Sequence, residues 1–344
     1  MRPTVCLLAS TALLLSAVDA AAVTTVNGDR KSFEIFRTDS PPVIDGKLDD
    51  DVWRHAAAVD DFHQRLSTLR ARRLGTPSTE RTIVQVSYDD EYLYIAANLL
   101  DSDPQAIQAM QMIQGRLFHS DDRFWVTLDS FNNQRNDYFF QVNPSGVRRE
   151  ALRENNARFI EEWATIWHAE SQRHDEGWAT EIAIPFKSIS FAPDTDTWGI
   201  NFGRGIVRKQ EYTAWSSYQR EWWPAYGGEI TGIGEIEQGL GLDVVPSVNM
   251  SQSRYLLLGG KHSAFEPSLD VTYRITPSLT AALTLNTDFS TAEVDDQQVA
   301  LDRFSLFFPE KRDFFLQDAG IFEFGGIGRN PLPYFSRRIG IGPD

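Results

Sequence analysis

Cysteine is almost absent from this sequence: the chain of 344 residues contains one, Cys6. Residues 1–22 combine a basic residue, Arg2, with an apolar stretch over 5–18 and small residues at the end, which predicts a secretory signal peptide. Cys6 lies too early in this segment for lipid attachment and would be removed with it. We therefore expect an exported mature chain without disulfides, a thiol nucleophile or a thiolate metal site.

Basic residues are also scarce, with 33 Lys and Arg against 48 Asp and Glu and a formal net charge of −15. Such a balance argues against nucleic-acid binding, because neutralising phosphates requires clustered Lys and Arg. After the N-terminal segment, no apolar run approaches the length of about 18 residues that a spanning helix needs. This excludes a helical membrane protein but not a barrel, whose strands are only half apolar.

Several catalytic patterns are missing as well. The sequence contains no His-x-x-x-His zinc motif with a Glu, no Gly-x-Ser-x-Gly elbow and no phosphate-binding loop ending in Gly-Lys. Glycoside hydrolysis needs two carboxylates in one cleft, and 48 acidic residues offer too many pairs to discriminate among them. An enzymatic function is therefore uncertain, and we favour a non-enzymatic one.

Tryptophan is present in only one part of the chain. All nine tryptophans lie between Trp53 and Trp223, which predicts a domain boundary near residue 237. The predicted organisation has four segments: a signal peptide over 1–22, a leader segment over 23–40, a β-sandwich over 41–237 and a partial β-barrel over 238–344.

The Trp-rich part consists mainly of short alternating or apolar runs separated by turn signals, which is typical of a β-sandwich. The predicted strands are residues 82–88, 92–100, 124–128, 137–142, 178–184 and 198–207. A helical insertion is predicted over 146–169, where helix breakers are few, and a short helix over 48–58 around Trp53. Trp53, Trp125, Trp178 and Trp198 are predicted to lie in the core.

Residues 240–289 follow a different pattern. Three runs of about eleven residues, over 240–250, 265–275 and 279–289, alternate between apolar and polar positions. A long connection over 251–264 precedes a tight one over 276–278. Such strands with alternately long and short loops are typical of a transmembrane β-barrel, and a soluble meander with one solvated face is the alternative.

Several motifs of the Trp-rich part resemble the signatures of carbohydrate-binding module family 9, in the order and spacing of that family. These motifs are residues 42–53, 88–96, 121–129, 177–186 and 198–202. Residues 286–295 and 307–316 are similar to a group of bacterial outer-membrane proteins that join such a module to a C-terminal barrel of unknown function. The resemblance covers about residues 40–340.

The resemblance implies an all-β fold: a jelly-roll-like β-sandwich followed by the first strands of an incomplete outer-membrane-type β-barrel. A barrel needs about eight strands, and only the three strands above and a fourth over 299–308 fit before residue 344. The sequence is therefore expected to be a truncated or fragmentary member of the group.

Saccharide binding requires aromatic rings for the apolar faces of the sugar and polar groups for its hydroxyls. The candidate residues are the aromatic group Trp222, Trp223 and Tyr226, the pair Trp163 and Trp167 on the predicted helix, and Arg123. Packing in the core or at an interface is the alternative for each aromatic residue. Adjacent Trp222 and Trp223 cannot both point into one core from a strand, so we expect at least one to be exposed.

Calcium is the metal ion that the sequence suggests. Residues 129–137 collect oxygen ligands in a strand connection, and Asp129, Asn132 and Asp137 are the candidate ligands. A polar hairpin loop without a metal is the alternative.

Together these features predict an exported glycan-binding envelope protein of a Gram-negative-type bacterium, whose partners are a polysaccharide or oligosaccharide and the outer membrane. The two alternatives are a secreted hydrolase of glycosidic bonds and a periplasmic module that only docks a partner.

Overall fold

The computed structural model describes residues 25–27, 30–65, 75–118, 120–156, 158–161, 163–192, 195–216, 223–234, 236, 242–255, 260–276 and 279–286. Within these residues the chain is almost entirely β-structure, with one short α-helix, α1 (Asp51–His55). The strands are β1 (Thr25–Asn27), β2 (Arg30–Glu34), β3 (Ala57–Val59), β4 (His63–Gln64), β5 (Thr82–Tyr88), β6 (Tyr92–Leu100), β7 (Arg123–Asp129), β8 (Asp137–Val142), β9 (Arg148–Glu154), β10 (Arg158–Ile160), β11 (His168–His174), β12 (Gly177–Pro185), β13 (Thr197–Ile206), β14 (Glu211–Ala214), β15 (Gly228–Thr231), β16 (Leu242–Tyr255), β17 (Gly260–Thr276) and β18 (Leu279–Leu285). The all-β prediction is confirmed.

The first fifteen strands form two sheets. One has five strands in the order β11-β12-β6-β5-β3; the other has the order β1-β2-β15-β13-β7-β8-β9-β10, with β14 beside β13 and β4 beside β14. Apolar side chains of both sheets form one buried core, including Val84, Ile95 and Ile182 from the first sheet and Phe124, Val126 and Phe202 from the second. This packing of two sheets over a common core is sandwich-like, as predicted.

All four tryptophans predicted to lie in the core are buried, and Trp178 and Trp198 lie fully buried between the sheets. Trp53 and Trp125 are also buried, but each packs in a small cluster outside this core. Trp53 lies on α1, which packs on the outside of the five-stranded sheet, and Trp125 points to the outward face of β7, because successive side chains of a strand point to opposite faces.

The stretch predicted as a leader contributes to the sandwich. Strand β2 pairs in parallel with β15, and Phe33 and Ile35 are buried in the core. The Phe33 ring packs edge-on against Trp215, with 5.3 Å between ring centroids. Residues 30–35 are therefore integrated into the larger sheet.

The segment around α1 covers the outer face of the five-stranded sheet. We call this the covered face; its residues are Tyr94, Ala96, Glu181 and Ala183, and Val52, Trp53 and Ala56 pack against it. The helix predicted around Trp53 is confirmed over 51–55. The fully buried Glu181 carboxylate accepts hydrogen bonds from the backbone N–H groups of Asp45 (2.9 Å) and Gly46 (2.8 Å) and from Trp53 Nε1 (2.7 Å).

The helical insertion predicted over 146–169 is wrong. This region forms strands β9 and β10 and the start of β11. Alternate residues of β9 are buried, with Arg149, Ala151 and Arg153 on one face. Pairing with β8 therefore overrides the helix propensity of residues such as Glu150 and Leu152, because propensity is a weak preference.

Strands β16, β17 and β18 form a separate three-stranded antiparallel sheet. The connection predicted over 251–264 is mostly strand, because β16 extends to Tyr255 and β17 starts at Gly260. Among the residues that the structure describes, no helix is long and apolar enough to cross a membrane.

Candidate functional site

The larger sheet has two buried faces of different chemistry. On the inward face β7 and β8 place apolar side chains such as Val126 and Phe140. Apart from Ala151, the outward side chains are polar or aromatic, and each of those named below is at most 9% exposed. We call this outward surface the polar face; its residues are Arg123, Trp125, Thr127, Asp129, Asp137, Phe139, Gln141, Arg149, Arg153 and Asn201.

Trp125 lies flat across the neighbouring strand at the centre of this face. Its strand neighbours in register are Gln141 on β8 and Gly203 on β13. A Cβ atom at Gly203 would overlap the indole ring, and one at Gly205 would lie 3.1 Å from Arg123 Cγ. Glycine at these two positions therefore leaves the space that the Trp125 ring and the Arg123 side chain occupy.

Arg123, the arginine that the sequence analysis predicts as a saccharide-binding residue, lies on the polar face. Its guanidinium donates to the carbonyl oxygens of Phe118 and Asp121 and, over 3.0 Å, to Tyr212 Oη. It also lies 5.1 Å from the centroid of the Tyr212 ring. A planar cation fixed in this way has the geometry to recognise oxygen atoms of a ligand.

Arg149 lies in the same row as Trp125, on the other side of Gln141. Its Nη2 donates to Glu161 over 3.0 Å, and its guanidinium lies 5.4 Å from the Phe139 ring centroid. Burial lowers the pKa of Arg149; the Glu161 carboxylate opposes this shift and nearby Arg123 adds to it.

The three predicted calcium ligands lie at one end of the polar face and have protein partners. Burial raises the pKa of Asp129 although its carboxylate accepts the backbone N–H groups of Gln134 (2.7 Å) and Asn133 (3.1 Å). Asp137 pairs with the buried guanidinium of Arg153. The third candidate, Asn132, bonds to Arg30 and Glu229.

Such contacts account for the polar composition of this loop without an ion. Among the described residues, no group of three or more His, Cys, Asp or Glu side chains is arranged to hold a metal ion. The calcium site with Asp129, Asn132 and Asp137 as ligands stays a prediction.

The predicted aromatic platform is partly in place. Trp223 is 37% exposed, and its ring stacks on Tyr226 with 6.0 Å between centroids and an interplanar angle of 14°. The turn between them is connected to both sides of the polar face. Ala225 N–H donates to Asn156 Oδ1 (3.3 Å), and the Tyr226 carbonyl accepts from Ser216.

Ser216 in turn exchanges two hydrogen bonds with Asn201 of the polar face. The turn carrying Trp223 and Tyr226 thus borders that face. Trp222, the other member of the predicted group, lies outside the described residues.

Trp163 and Trp167 are not brought to this site. Trp167 is 2% exposed, packs 5.1 Å from Phe140 and donates from Nε1 to Glu150 over 3.1 Å. Trp163 is half-buried against Tyr138 and the same core. Because the helix on which they were expected is absent, these two rings belong to the packing between the sheets.

The sequence reasoning missed most of the polar face, including Trp125, Phe139, Gln141 and Arg149. A signal was present in β7, whose sequence Arg-Phe-Trp-Val-Thr-Leu-Asp places large residues at both odd and even positions. A strand with one solvated face would alternate instead. Both faces of β7 are buried, and one of them carries Arg, Trp, Thr and Asp. This combination indicates a candidate site outside the core.

Comparison with protein-family models gives two matches. The model described as carbohydrate family 9 binding domain-like matches residues 44–216, and a domain of unknown function (DUF5916) matches residues 240–344. No curated protein matches the chain.

Solved structures of low sequence identity are also similar. A carbohydrate binding module family 9 from Caldicellulosiruptor kristjanssonii, in complex with cellotriose, is 16% identical, with 60% of this chain and 96% of that chain covered and a TM-score of 0.43. A family 9 module from that organism in complex with glucose is 17% identical, with 58% of this chain and 96% of that chain covered and a TM-score of 0.42. A protein from Bacteroides uniformis is 13% identical, with 58% of this chain and 98% of that chain covered and a TM-score of 0.45.

Proposed function

Because residues 44–216 match its model, the chain belongs to the carbohydrate family 9 binding domain-like family, and we propose that its sandwich binds a saccharide on the polar face. One observation carries this location: the turn with the 37% exposed Trp223, whose ring stacks on Tyr226, borders the outward surface of β7, β8, β9 and β13, and that surface consists largely of polar and aromatic side chains. An exposed aromatic ring beside polar groups is the combination that saccharide binding requires.

The chemistry of the face suits a sugar ring. The Trp125 indole lies over Gly203, and its ring is an apolar surface of the kind that pyranose C–H groups contact. Around it, Gln141, Arg123 and Asn201 supply amide and guanidinium groups for hydroxyls. Trp223 and Tyr226 provide a second, exposed aromatic surface at the border. The pair could contact a further residue of an oligosaccharide.

The proposal is tested by titration calorimetry of the purified chain with a panel of soluble oligosaccharides, followed by Trp125→Ala and Trp223→Ala. We expect each substitution to weaken the affinity at least tenfold, since losing an aromatic platform costs more than about 1.4 kcal/mol. Phe36→Ala is the matched control, because Phe36 is an aromatic residue 57% exposed elsewhere on the sandwich. Retained affinity in both Trp variants would overturn this location, and no binding to any saccharide would favour the docking alternative.

The hydrolase alternative stays open as a prediction. Two acidic residues of the polar face, Asp129 and Asp137, have raised pKa values, and burial is the largest cause for both. Both carboxylates are bonded within the fold, one to backbone N–H groups and the other to Arg153. If the chain released reducing ends from an oligosaccharide and the Asp137→Asn variant did not, the hydrolase alternative would be favoured.

We also propose that the three-stranded sheet faces the lipid of an outer membrane. Directly paired residues share one face of a sheet, and the pairing of β16, β17 and β18 places apolar residues together. They are Leu242, Val244, Pro246, Val248, Met250, Phe265, Pro267, Leu269, Val271, Tyr273, Ala281, Leu283 and Leu285. Most are exposed, including Val248 (56%) and Leu283 (58%).

The length of this apolar surface supports the proposal. Leu242 and Met250 are its ends on β16, and the eight residue steps between them, at about 3.4 Å each in an antiparallel sheet, span about 27 Å along the strand. The apolar band of an outer-membrane barrel is about 25 Å tall. The opposite face carries Ser247, Asn249 and Thr284.

Cysteine labelling tests the lipid-facing orientation. In a Cys6→Ser background, a fluorophore at Leu283→Cys should be quenched by lipid-soluble quenchers in vesicles, and one at the neighbouring Thr284→Cys should not. The two positions differ by one residue and therefore lie on opposite faces. Equal quenching at both positions, or recovery of the chain only in the aqueous fraction, would contradict the proposal.

A further inference from the structure

The connection between β6 and β7 carries a cluster of exposed apolar side chains. Its members, between 42% and 73% exposed, are Met110, Met112, Ile113 and Leu117. Of the nine large apolar side chains that are exposed in the described part of residues 30–236, these four lie within eight consecutive residues. Single exposed apolar residues are ordinary, whereas a cluster indicates a contact surface. We call residues 110–117 the apolar loop.

Buried residues fix the chain on both sides of the apolar loop. Ile107 before it belongs to the core between the sheets, and Phe118 after it is 2% exposed. The carboxylate of Asp121 accepts the backbone N–H groups of Met110 and Gln111, each over 2.9 Å. The fold therefore holds the backbone of the apolar loop in place while its apolar side chains remain in water.

Further backbone N–H groups of the apolar loop also have partners within the chain. Those of Met112 and Ile113 donate to Gln111 Oε1, over 3.1 Å and 3.0 Å. Gly115 N–H donates to the carbonyl of Arg148 over 3.0 Å. A partner that adds a strand needs free backbone groups. The apolar loop instead offers its side chains, so the contact that it makes is an apolar one.

The charge of the apolar loop differs from that of the whole chain. The chain has a formal net charge of −15, yet residues 104–120 contain no Asp or Glu. The charged residue of the apolar loop is Arg116, which is exposed. The two acids that follow, Asp121 and Asp122, are each 1% exposed. On an acidic protein, the exposed apolar cluster is therefore accompanied by a cation.

Residues 112–117 are all exposed, so the apolar loop projects from the sandwich instead of lining a groove. A projecting apolar segment with a cation is suited to a membrane interface, where affinity grows with the apolar area buried and with attraction to anionic lipids. We propose that the apolar loop inserts into the surface of an anionic phospholipid bilayer, with Arg116 at the phosphate groups. This inference goes beyond saccharide binding and does not depend on it.

The test places a polarity-sensitive fluorophore on the full chain in a Cys6→Ser background. With phosphatidylglycerol vesicles, the emission of a label at Ile113→Cys should move to shorter wavelength and at least double in intensity, because the label leaves water. A label at Val43→Cys, which replaces another exposed apolar residue of the sandwich, should not change. Phosphatidylcholine vesicles, which lack a net negative charge, should change the Ile113→Cys label less.

Substitutions in the labelled chain separate the apolar and the charged contributions. Arg116→Gln should raise the vesicle concentration that gives half the emission change about fivefold, and Arg54→Gln, at a 69% exposed arginine on α1, less than twofold. Met112→Ser combined with Leu117→Ser should raise it at least tenfold, and the control Phe36→Ser less than twofold. All of these side chains are exposed, so the core stays intact in each variant.

An unchanged emission of the Ile113→Cys label with anionic vesicles, or an equal change at Val43→Cys, would overturn the inference. If the label at Leu283→Cys were quenched by lipid-soluble quenchers at the same time, the lipid-facing orientation of the three-stranded sheet would stand and only the role of the apolar loop would fall. An emission change that needs a raised protein concentration and no lipid would show contact between copies of the chain and would overturn the inference too.

Discussion

The outer faces of the two sheets are both buried, but by different means. On the covered face, the segment around α1 packs Val52 and Trp53 against Tyr94 and Ala96, and Glu181 receives three hydrogen bonds from this segment. On the polar face, Trp125 and Arg149 are equally buried, and Arg149 pairs with Glu161, whose side chain is 48% exposed. The covered face is closed by a neighbouring segment of the chain, whereas the polar face is bordered by the exposed ring of Trp223. An exposed aromatic ring at its border therefore distinguishes the polar face from the covered face.

The largest expected effect is on the covered face. Trp53→Ala should lower the free energy of unfolding by about 3–5 kcal/mol, because it removes a 3% exposed indole and one donor to Glu181. Urea unfolding measures the loss, and Phe36→Ala, at an exposed aromatic residue, should change it by less than about 0.5 kcal/mol. Affinity of the folded variant for a saccharide should stay within twofold. A loss of affinity without a loss of stability would reverse the roles assigned to the two faces.

A smaller loss of stability, with a loss of binding, is expected on the polar face. Gly203→Ala places a methyl group where the Trp125 ring lies, and overpacking of this kind costs about 1–3 kcal/mol. Saccharide affinity should fall at least tenfold, because the indole must leave its position. Gly234→Ala is the matched control, since a Cβ there has no heavy atom within 4 Å. If Gly203→Ala bound as well as the control, the flat Trp125 ring would not be the platform.

The smallest effect concerns the pH dependence of the covered face. Burial raises the pKa of Glu181 above its ordinary value of 4.5, although the hydrogen bonds from Trp53, Asp45 and Gly46 act in the opposite direction. A carboxyl with a raised folded-state pKa binds its proton more tightly in the folded protein. Its contribution to stability is therefore fully present below pH 4.5 and is lost as the pH rises through the folded-state pKa.

Comparing urea unfolding of the parent chain and Glu181→Gln at several pH values measures this contribution. The difference in stability between the two proteins should change across the window just above pH 4.5, with the parent chain gaining as the pH falls. A difference that grows in favour of the parent as pH rises would mean that the three hydrogen bonds outweigh burial.

Much of the sandwich could be predicted from the sequence. Strands β5, β6 and β8 have the predicted bounds, and β7, β12 and β13 differ from them by one residue at each end. Their apolar periodicity is strong and local. The region 146–169 could not be predicted in this way, because Arg149 and Arg153 become buried strand residues only through pairing with β8 and contacts with Glu161 and Asp137.

The candidate site was predicted only at its border. Arg123, Trp223 and Tyr226 were identified from residue type, since exposed aromatic groups and arginines are recognisable without a fold. Trp163 and Trp167 were chosen by the same reasoning and lie in the packing between the sheets. Residue type indicates what a side chain can bind, whereas its face of the sheet decides whether a ligand reaches it.

The scarcity of cysteine, the acidic balance and the alternation of short strands determined, without any coordinates, an all-β chain whose core depends on packing rather than disulfides. Only the tertiary structure decided that the larger sheet has a second buried face, with Trp125 lying over Gly203 and Arg149 paired with Glu161. The physical reason is that apolar periodicity is encoded within a strand. The neighbours that complete a site are brought together from β7, β8, β9 and β13, which are distant in sequence.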